Sequence, residues 1–229
     1  MNDKISFGYR SRFIKVKECR YLSHLDITRI IFRAMLRAGF DLDYSQGFNP
    51  KPRLSFSNPT PLGVDSIAEY CDMFLERKID PDKALDSLNS QLDKNLQATE
   101  LKGFQRKEKS LMASIDLIYY EAVISRKDNK MPNHGQVSKI MRLKDDQEFK
   151  ESIFGMETIA CEAGNNVLLK LLGYAKILKA TKNKVFKFNY FFDCFKDMAE
   201  DEELSVKKIC KKECFILKDG KLFTPIEVL

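Results

Sequence analysis

Residues 44–57 combine side chains that suit contact with a nucleic acid. The stretch reads Y-S-Q-G-F-N-P-K-P-R-L-S-F-S and includes the aromatic Phe48 and the basic Lys51 and Arg53. An aromatic ring can stack on a base and a basic side chain can contact a phosphate, the pairing that single-stranded RNA recognition uses. The candidate binding residues of this loop are Ser45, Gly47, Phe48, Asn49, Lys51 and Arg53.

The same loop is predicted to be stiff. Gly47 falls where a turn over Ser45–Phe48 needs a positive φ, and Pro50 and Pro52 push the residues before them toward an extended backbone. A stiff loop loses less entropy when it binds a ligand. The alternative interpretation is a rigid connection that inserts Phe48 into the core.

A second candidate precedes this loop, in S-H-L-D at Ser23–Asp26. Ser23 can cap a helix and Asp26 can complete a capping box, so we predict a helix start here. His24 is either a histidine that fixes the helix start or a binding or acid–base residue beside the loop.

Basic residues recur at helical spacing after His24. Arg29, Arg33 and Arg37 follow one another at four-residue steps, beside an apolar stripe that begins at Ile27. They form either a solvated face or a set of phosphate contacts, which the planar guanidinium suits. The candidate basic contacts outside the loop are Arg10, Arg12, Lys15, Arg33 and Arg37.

The elements that must position these residues follow the order strand, helix, strands, helix, strand over residues 1–104. That order is the ferredoxin-like α+β pattern. Residues 105–229 repeat it less clearly, with a hairpin signal at Gly164–Asn166 and a helix predicted over Asn189–Met198. We predict two ferredoxin-like α+β domains in tandem, 1–104 and 105–229.

Composition limits the class of protein. The chain has 229 residues and a net charge of +6, and residues 1–62 hold eleven Lys/Arg against five Asp/Glu while residues 63–100 hold four against nine. The chain begins without an apolar signal segment, and its six cysteines are predicted to be reduced thiols of a cytoplasmic protein. No membrane segment, metal site or cofactor is predicted. A shared metal ion is not expected at Cys210 and Cys214, because the two are too far apart along a strand to bind one ion.

Several motifs together resemble a bacterial family of uncharacterised radical-SAM-linked proteins. They are R-S-R-F-I-K, Y-L-S-H-L-D-I-T-R, R-A-M-L-R-A-G, Y-S-Q-G-F-N-P-K-P, P-L-G-V, A-E-Y-C-D and, at Ser110–Ala113, S-L-M-A. Members of that family occur alone or fused behind a cobalamin-binding radical-SAM enzyme. The resemblance implies a radical-SAM enzyme as partner and a role near RNA chemistry. The chain departs from the family at Lys51, where members often have histidine, and it lacks the C-x-x-x-C-x-x-C run that would ligate the iron–sulfur cluster.

These observations predict a non-catalytic module that recognises RNA or another substrate and acts with a separately encoded cobalamin-type radical-SAM enzyme. One alternative is a metal-independent enzyme that processes or modifies RNA, in which His24 acts with Tyr21, Tyr44 or Lys51. The other alternative is a protein-interaction scaffold that docks through the acidic residues 63–100.

Overall fold

The computed structural model describes residues 6–104, 110–126, 153–163, 166–176 and 204–229. The chain divides into two compact units. The first comprises Met1–Ile115 and Cys214–Leu229, and the second comprises Asp116–Glu213. The domain bounds predicted from the sequence, 1–104 and 105–229, stay a prediction.

The described residues form nine strands, three α-helices and one 3₁₀ helix. Up to residue 115 the elements are β1 (Phe7–Lys15), a 3₁₀ helix (Lys17–Tyr21), α1 (His24–Arg37), β2 (Leu54–Phe56), β3 (Asp65–Leu75), α2 (Pro81–Asn89), β4 (Ala98–Phe104) and α3 (Leu111–Ser114). The later elements are β5 (Leu117–Arg126), β6 (Ile153–Ala163), β7 (Asn166–Lys176), β8 (Leu204–Lys218) and β9 (Lys221–Phe223).

The sheet of the first unit has the strand order of a ferredoxin-like fold. β1 lies between β4 and β3 and pairs antiparallel with both. β2 pairs antiparallel with β3, so the order is β4-β1-β3-β2 and α1 and α2 form the two crossovers. The α+β class predicted from the sequence is confirmed.

β2 is short and covers only part of the β3 edge. It pairs with residues 71–73 of β3, and β8 follows β3 in the strand order. The thiol of Cys214 in β8 lies 3.7 Å from the carbonyl oxygen of Ala68 in β3. β9 in turn pairs antiparallel with the end of β8.

The strands of the second unit follow the order β8-β5-β7-β6. β7 pairs antiparallel with both β5 and β6, and the pairing of Ala163 with Asn166 confirms the predicted hairpin. Residues 127–152 and 177–203, which include the predicted helix Asn189–Met198, lie outside the described residues. A second ferredoxin-like domain therefore stays a prediction.

One apolar core holds α1 and α2 on the sheet of the first unit. The helix stripe predicted from the sequence is confirmed, because Ile27, Ile31, Ala34 and Met35 are all buried. The buried apolar residues of this core are Tyr9, Phe13, Ile27, Ile31, Ala34, Met35, Phe40, Leu42, Cys71, Met73, Leu75, Ala84, Leu88 and Ala98.

A buried ion pair joins β1 and β3 on the face of the sheet that points away from this core. Arg10 and Asp72 are register partners, and the guanidinium donates to both carboxylate oxygens, from Nε at 2.5 Å and from Nη2 at 2.7 Å. Its Nη1 donates to the carbonyl oxygen of Pro225 at 2.7 Å. Arg10 is only 1% exposed, so its charge serves the fold and is not available to an external ligand.

We expect Arg10→Met to lower the free energy of unfolding by about 3–5 kcal/mol, because it leaves the buried Asp72 carboxylate without its counter-ion. Urea denaturation measures the change. The double variant Arg10→Met/Asp72→Leu should recover most of the loss, since apolar residues of similar volume often replace a buried pair at little cost. A single variant as stable as the wild-type chain would contradict this account, and the exposed Arg33→Met is the matched control.

Candidate functional site

An open groove of about 600 Å³ lies beside the start of α1, within the first unit. Three segments line it: the outward face of α1, the chain from Lys51 to Phe56, and the residues around α3. We call it the α1–β2 groove. It therefore joins, on one surface, the S-H-L-D segment, the end of the stiff loop and the S-L-M-A segment.

The α1 wall is set by a capping box at the helix start. The Ser23 hydroxyl accepts from the backbone N–H of Asp26 at 3.2 Å, and the Asp26 carboxylate accepts from the backbone N–H of Ser23 at 3.3 Å. The Ser23 hydroxyl also donates to that carboxylate at 2.6 Å. These hydrogen bonds lower the pKa of Asp26. The helix start predicted from the sequence is confirmed. It fixes the backbone position that carries the His24 side chain.

The His24 ring packs against β2. It meets the Phe56 ring edge-on, with the two centroids 5.6 Å apart and the planes at 89°. The hydroxyl of Thr28, one turn along α1, donates to the His24 carbonyl oxygen at 2.8 Å. His24 is half-buried and lines the groove, so the ring is held on one side and accessible on another.

The stiff loop is closed by hydrogen bonds at its base. The backbone N–H of Ser45 donates to the Lys51 carbonyl oxygen at 2.8 Å, and the N–H of Lys51 donates to the Ser45 hydroxyl at 3.0 Å. Tyr44 and Pro52 form an isolated β-bridge just outside this pair. Gly47 has φ +126°, so the positive φ predicted for it is confirmed.

Phe48 lies at the exposed part of this loop. Its relative exposure is 106%, so the interpretation that Phe48 is inserted into the core is wrong. Ser45, Asn49 and Lys51 are exposed as well. The hydrogen bonds at the loop base support the loop without help from the phenyl ring, and the ring is left free for a ligand. Lys51 also lines the groove.

Arg53 follows the loop but turns away from the groove. Its Nη1 donates to the buried Asp43 carboxylate at 2.8 Å, and its guanidinium lies 4.8 Å from the centroid of the Phe74 ring. Arg53 therefore anchors the end of the loop and does not join the other candidate residues.

Two basic residues of β1 are also engaged inside the fold. Lys15 is fully buried and donates from Nζ to the carbonyl oxygen of Thr60 at 3.2 Å. Arg12 donates from Nε to the carbonyl oxygen of Ile67 at 2.9 Å and from Nη1 to the Glu100 carboxylate at 3.3 Å. With Arg10, these residues support the sheet, and the structure does not bring them to the α1–β2 groove.

The three arginines of the α1 row lie in different surroundings. Arg29 lines the groove. Arg33 is exposed one turn later, outside the groove lining. Arg37 donates to the side-chain and backbone oxygens of Gln91 at 3.1 and 2.9 Å. Of this row, only Arg29 lines the groove, and the sequence analysis did not include it among the candidate binding residues.

The two candidate tyrosines do not line the groove. Tyr44 is half-buried and packs against the core of the first unit. Tyr21 is 62% exposed and is bonded to Arg20. Of the residues proposed for acid–base chemistry, only His24 and Lys51 line the groove.

The third wall of the groove, formed by the residues around α3, was not predicted from the sequence. Ser110 caps α3 by accepting from the backbone N–H of Ala113 at 3.4 Å, and Leu111 is fully buried. This anchoring leaves Met112, 44% exposed, on the groove. The signal available was the N-cap serine of S-L-M-A followed by two adjacent apolar side chains, Leu111 and Met112.

The described cysteines lie outside the lining of the α1–β2 groove. Within the described residues, no group of three or more His, Cys, Asp or Glu side chains could hold a metal ion. Cys19, Cys71, Cys210 and Cys214 are buried, and burial raises the pKa of the Cys71 thiol well above its usual value. Over the same residues, no helix is long and apolar enough to cross a membrane.

A family model matches residues 8–158, which contain every segment of the groove. The model describes an uncharacterized protein conserved in bacteria (DUF2344). The chain belongs to this family. The family match runs from the second residue of β1 to residue 158 within β6, and so includes the capping box, the loop and α3.

Other comparisons add little. A search of curated proteins finds no sequence match. The chain is similar in structure to an unknown protein from Galdieria sulphuraria (10% identity, 88% of this chain and 98% of that one, TM-score 0.27). Two further similar structures are a protein assigned as a chlorite dismutase (9%, 89% and 92%, 0.26) and DyPB from Rhodococcus jostii RHA1 (7%, 89% and 90%, 0.23). These TM-scores are too low to support an inference.

The capping box predicts a pH-dependent stability. Because the folded pKa of Asp26 is lowered, the carboxylate contributes stability above its unfolded pKa, and this contribution is lost as the pH falls through the folded value. We expect Asp26→Asn to be less stable than the wild-type chain at neutral pH. The difference should disappear in acid, measured by thermal unfolding across a pH series. A difference that stays constant with pH would show that the carboxylate charge is not what stabilises the helix start.

Proposed function

We propose that the chain is a non-catalytic recognition module that binds single-stranded RNA at the α1–β2 groove and the loop of residues 45–51. The observation that supports this proposal best is the full exposure of Phe48 on a loop closed by its own hydrogen bonds. A large apolar ring held in solvent has no role in packing, and a ligand that stacks on it would remove it from water.

The groove offers the other contacts that such a ligand needs. Lys51 connects the Phe48 loop to the groove, and Arg29 lies on the α1 wall. Both side chains carry positive charge and can contact phosphates, while Phe56 and Met112 provide apolar surface for a base. Recognition that combines stacking with phosphate contacts is typical of proteins that bind single strands.

The geometry supports a binding role over catalysis. Acid–base catalysis needs groups within hydrogen-bond reach of the proton they transfer. Among the groove residues, His24 packs edge-on against Phe56, and neither candidate tyrosine is present. An RNA-processing activity that depends on His24 is the second candidate, favoured by the accessible side of that ring. Turnover that His24→Ala abolishes while binding persists would establish it.

The proposed partner rests on the family resemblance, and the proposed second domain rests on the strand order. The resemblance supports a separately encoded cobalamin-type radical-SAM enzyme as partner. The reduced cysteines predicted from the sequence favour a cytoplasmic location. The order β8-β5-β7-β6 supports a second ferredoxin-like domain, because it repeats the 4-1-3-2 order of the first unit. A scaffold role without RNA is what remains if RNA binding fails.

The direct test is a titration of the chain with single-stranded RNA at several salt concentrations. Because neutralised phosphates release counter-ions, log K should fall linearly with log salt. The chain has no tryptophan, so Phe48→Trp introduces a single reporter at the loop. Quenching of its fluorescence by RNA would place a base beside residue 48. No binding at micromolar protein, or binding independent of salt, would overturn the proposal.

We expect Phe48→Ala to weaken RNA binding by about 1–3 kcal/mol, the range for one lost stacking contact. The free energy of unfolding should change by no more than about 0.5 kcal/mol, because the ring contributes no burial. Fluorescence anisotropy and urea denaturation measure the two effects. Leu222→Ala, another exposed apolar residue of the first unit, is the control. A large loss of stability would show that the ring packs in solution.

Arg29→Ala and Arg33→Ala form a matched pair on the exposed side of α1. We expect Arg29→Ala to weaken binding and to reduce the salt slope by about 0.7, the value for one phosphate contact to a single strand. Arg33→Ala should leave both quantities nearly unchanged, because Arg33 lies outside the groove lining. Anisotropy titrations at several salt concentrations measure both slopes. Equal effects of the two substitutions would mean that the positive face of α1, and not the groove, attracts the RNA.

A further inference from the structure

A second exposed aromatic side chain lies just before α1. Tyr21 ends the 3₁₀ helix and is 62% exposed. The Arg20 guanidinium lies 4.9 Å from its ring centroid and donates from Nη2 to its hydroxyl at 2.8 Å. Tyr21 and Arg20 therefore form an aromatic–basic pair at the surface, which we call the Tyr21 platform.

The backbone around the platform keeps the ring in place. The N–H of Gly63 donates to the Arg20 carbonyl oxygen at 3.0 Å. Gly63 has φ +80°, and a Cβ there would lie 3.8 Å from Cε1 of Tyr21, so the glycine passes close beside the ring. A ring that is both exposed and held by a hydrogen bond loses little freedom when a planar ligand stacks on it. Such pre-organisation has no use in a merely solvated tyrosine.

The platform is connected to the α1–β2 groove along the chain. Only Leu22 and Ser23 lie between Tyr21 and His24, and three residue steps limit their Cα atoms to about 11 Å apart. Leu25, which lines the groove, is itself 65% exposed. The apolar surface of the groove therefore reaches the first turn of α1, a short distance along the chain from Tyr21.

We infer that Tyr21 is a second base-stacking position of the same RNA site, and that the site takes an extended single strand and not an isolated nucleotide. The inference rests on the proposed function. Arg20 adds a positive charge beside the ring, which suits the phosphate next to a stacked base. The enzyme alternative gave Tyr21 an acid–base role, but its hydroxyl is bonded to Arg20, whereas its ring is exposed.

The test compares two lengths of oligouridylate, one of about three nucleotides and one of about twelve, because single-strand-binding modules cover about 4–16 nucleotides. We expect Tyr21→Leu to weaken binding of the long oligonucleotide about 5- to 150-fold, the effect of one lost stack. The short oligonucleotide should bind as it does to the wild-type chain. Leucine keeps the apolar character and removes the aromatic face, so this change isolates stacking.

Two further variants separate the possible outcomes. Tyr21→Phe should bind the long oligonucleotide nearly as well as the wild-type chain does, because it retains the aromatic face. The fluorescence of the single tryptophan in Tyr21→Trp should be quenched only by the long oligonucleotide.

If wild-type binding is salt-dependent and weakened by Phe48→Ala, but Tyr21→Leu has no effect at either length, the second stacking position is wrong and the proposed function stands. If no RNA binds, both are overturned. An equal loss at both lengths would contradict the extended path.

Discussion

The antiparallel pairing of β1 with β3 is the constraint on which the rest of the first unit depends. It places Arg10 opposite Asp72, and it leaves the far edge of β3 open to β2. β2 forms there over only three residues, which is enough to place Phe56 beside His24. The groove thus forms at β2: α1 packs across the sheet, and α3 lies near the same short strand.

Local features of the structure could be predicted from the sequence because their causes lie within a few residues. The capping box joins Ser23 to Asp26, three positions away, and the positive φ of Gly47 arises inside one turn. The stripe of α1 repeats at the helical period. Such interactions need no knowledge of the fold, which is why helix starts, strands and the α+β class were predictable.

The basic residues show why the site itself was predicted only in part. A count of charges in residues 1–62 treats each one as surface charge. The partners of Arg10 and Arg12 lie 55 or more positions away in the sequence, in β3, β4 and beyond. Lys15 is bonded to carbonyl oxygens near residue 60. Much of the apparent surface charge therefore stabilises the sheet, and only the fold shows that Arg29 and Lys51 line the groove.

The placement of Pro225 has a consequence for how the protein is made. Its carbonyl oxygen accepts from Arg10, and that of Ile226 accepts from Lys102 at 3.4 Å. The first unit is thus completed by residues that the ribosome adds only after the whole of Asp116–Glu213. At typical synthesis rates of about 5–20 residues per second, roughly 5–20 s pass between the two parts. During that interval the nascent sheet carries an uncovered stretch of β3 edge near Ala68, the kind of unpaired backbone that chaperones shield from association with other chains.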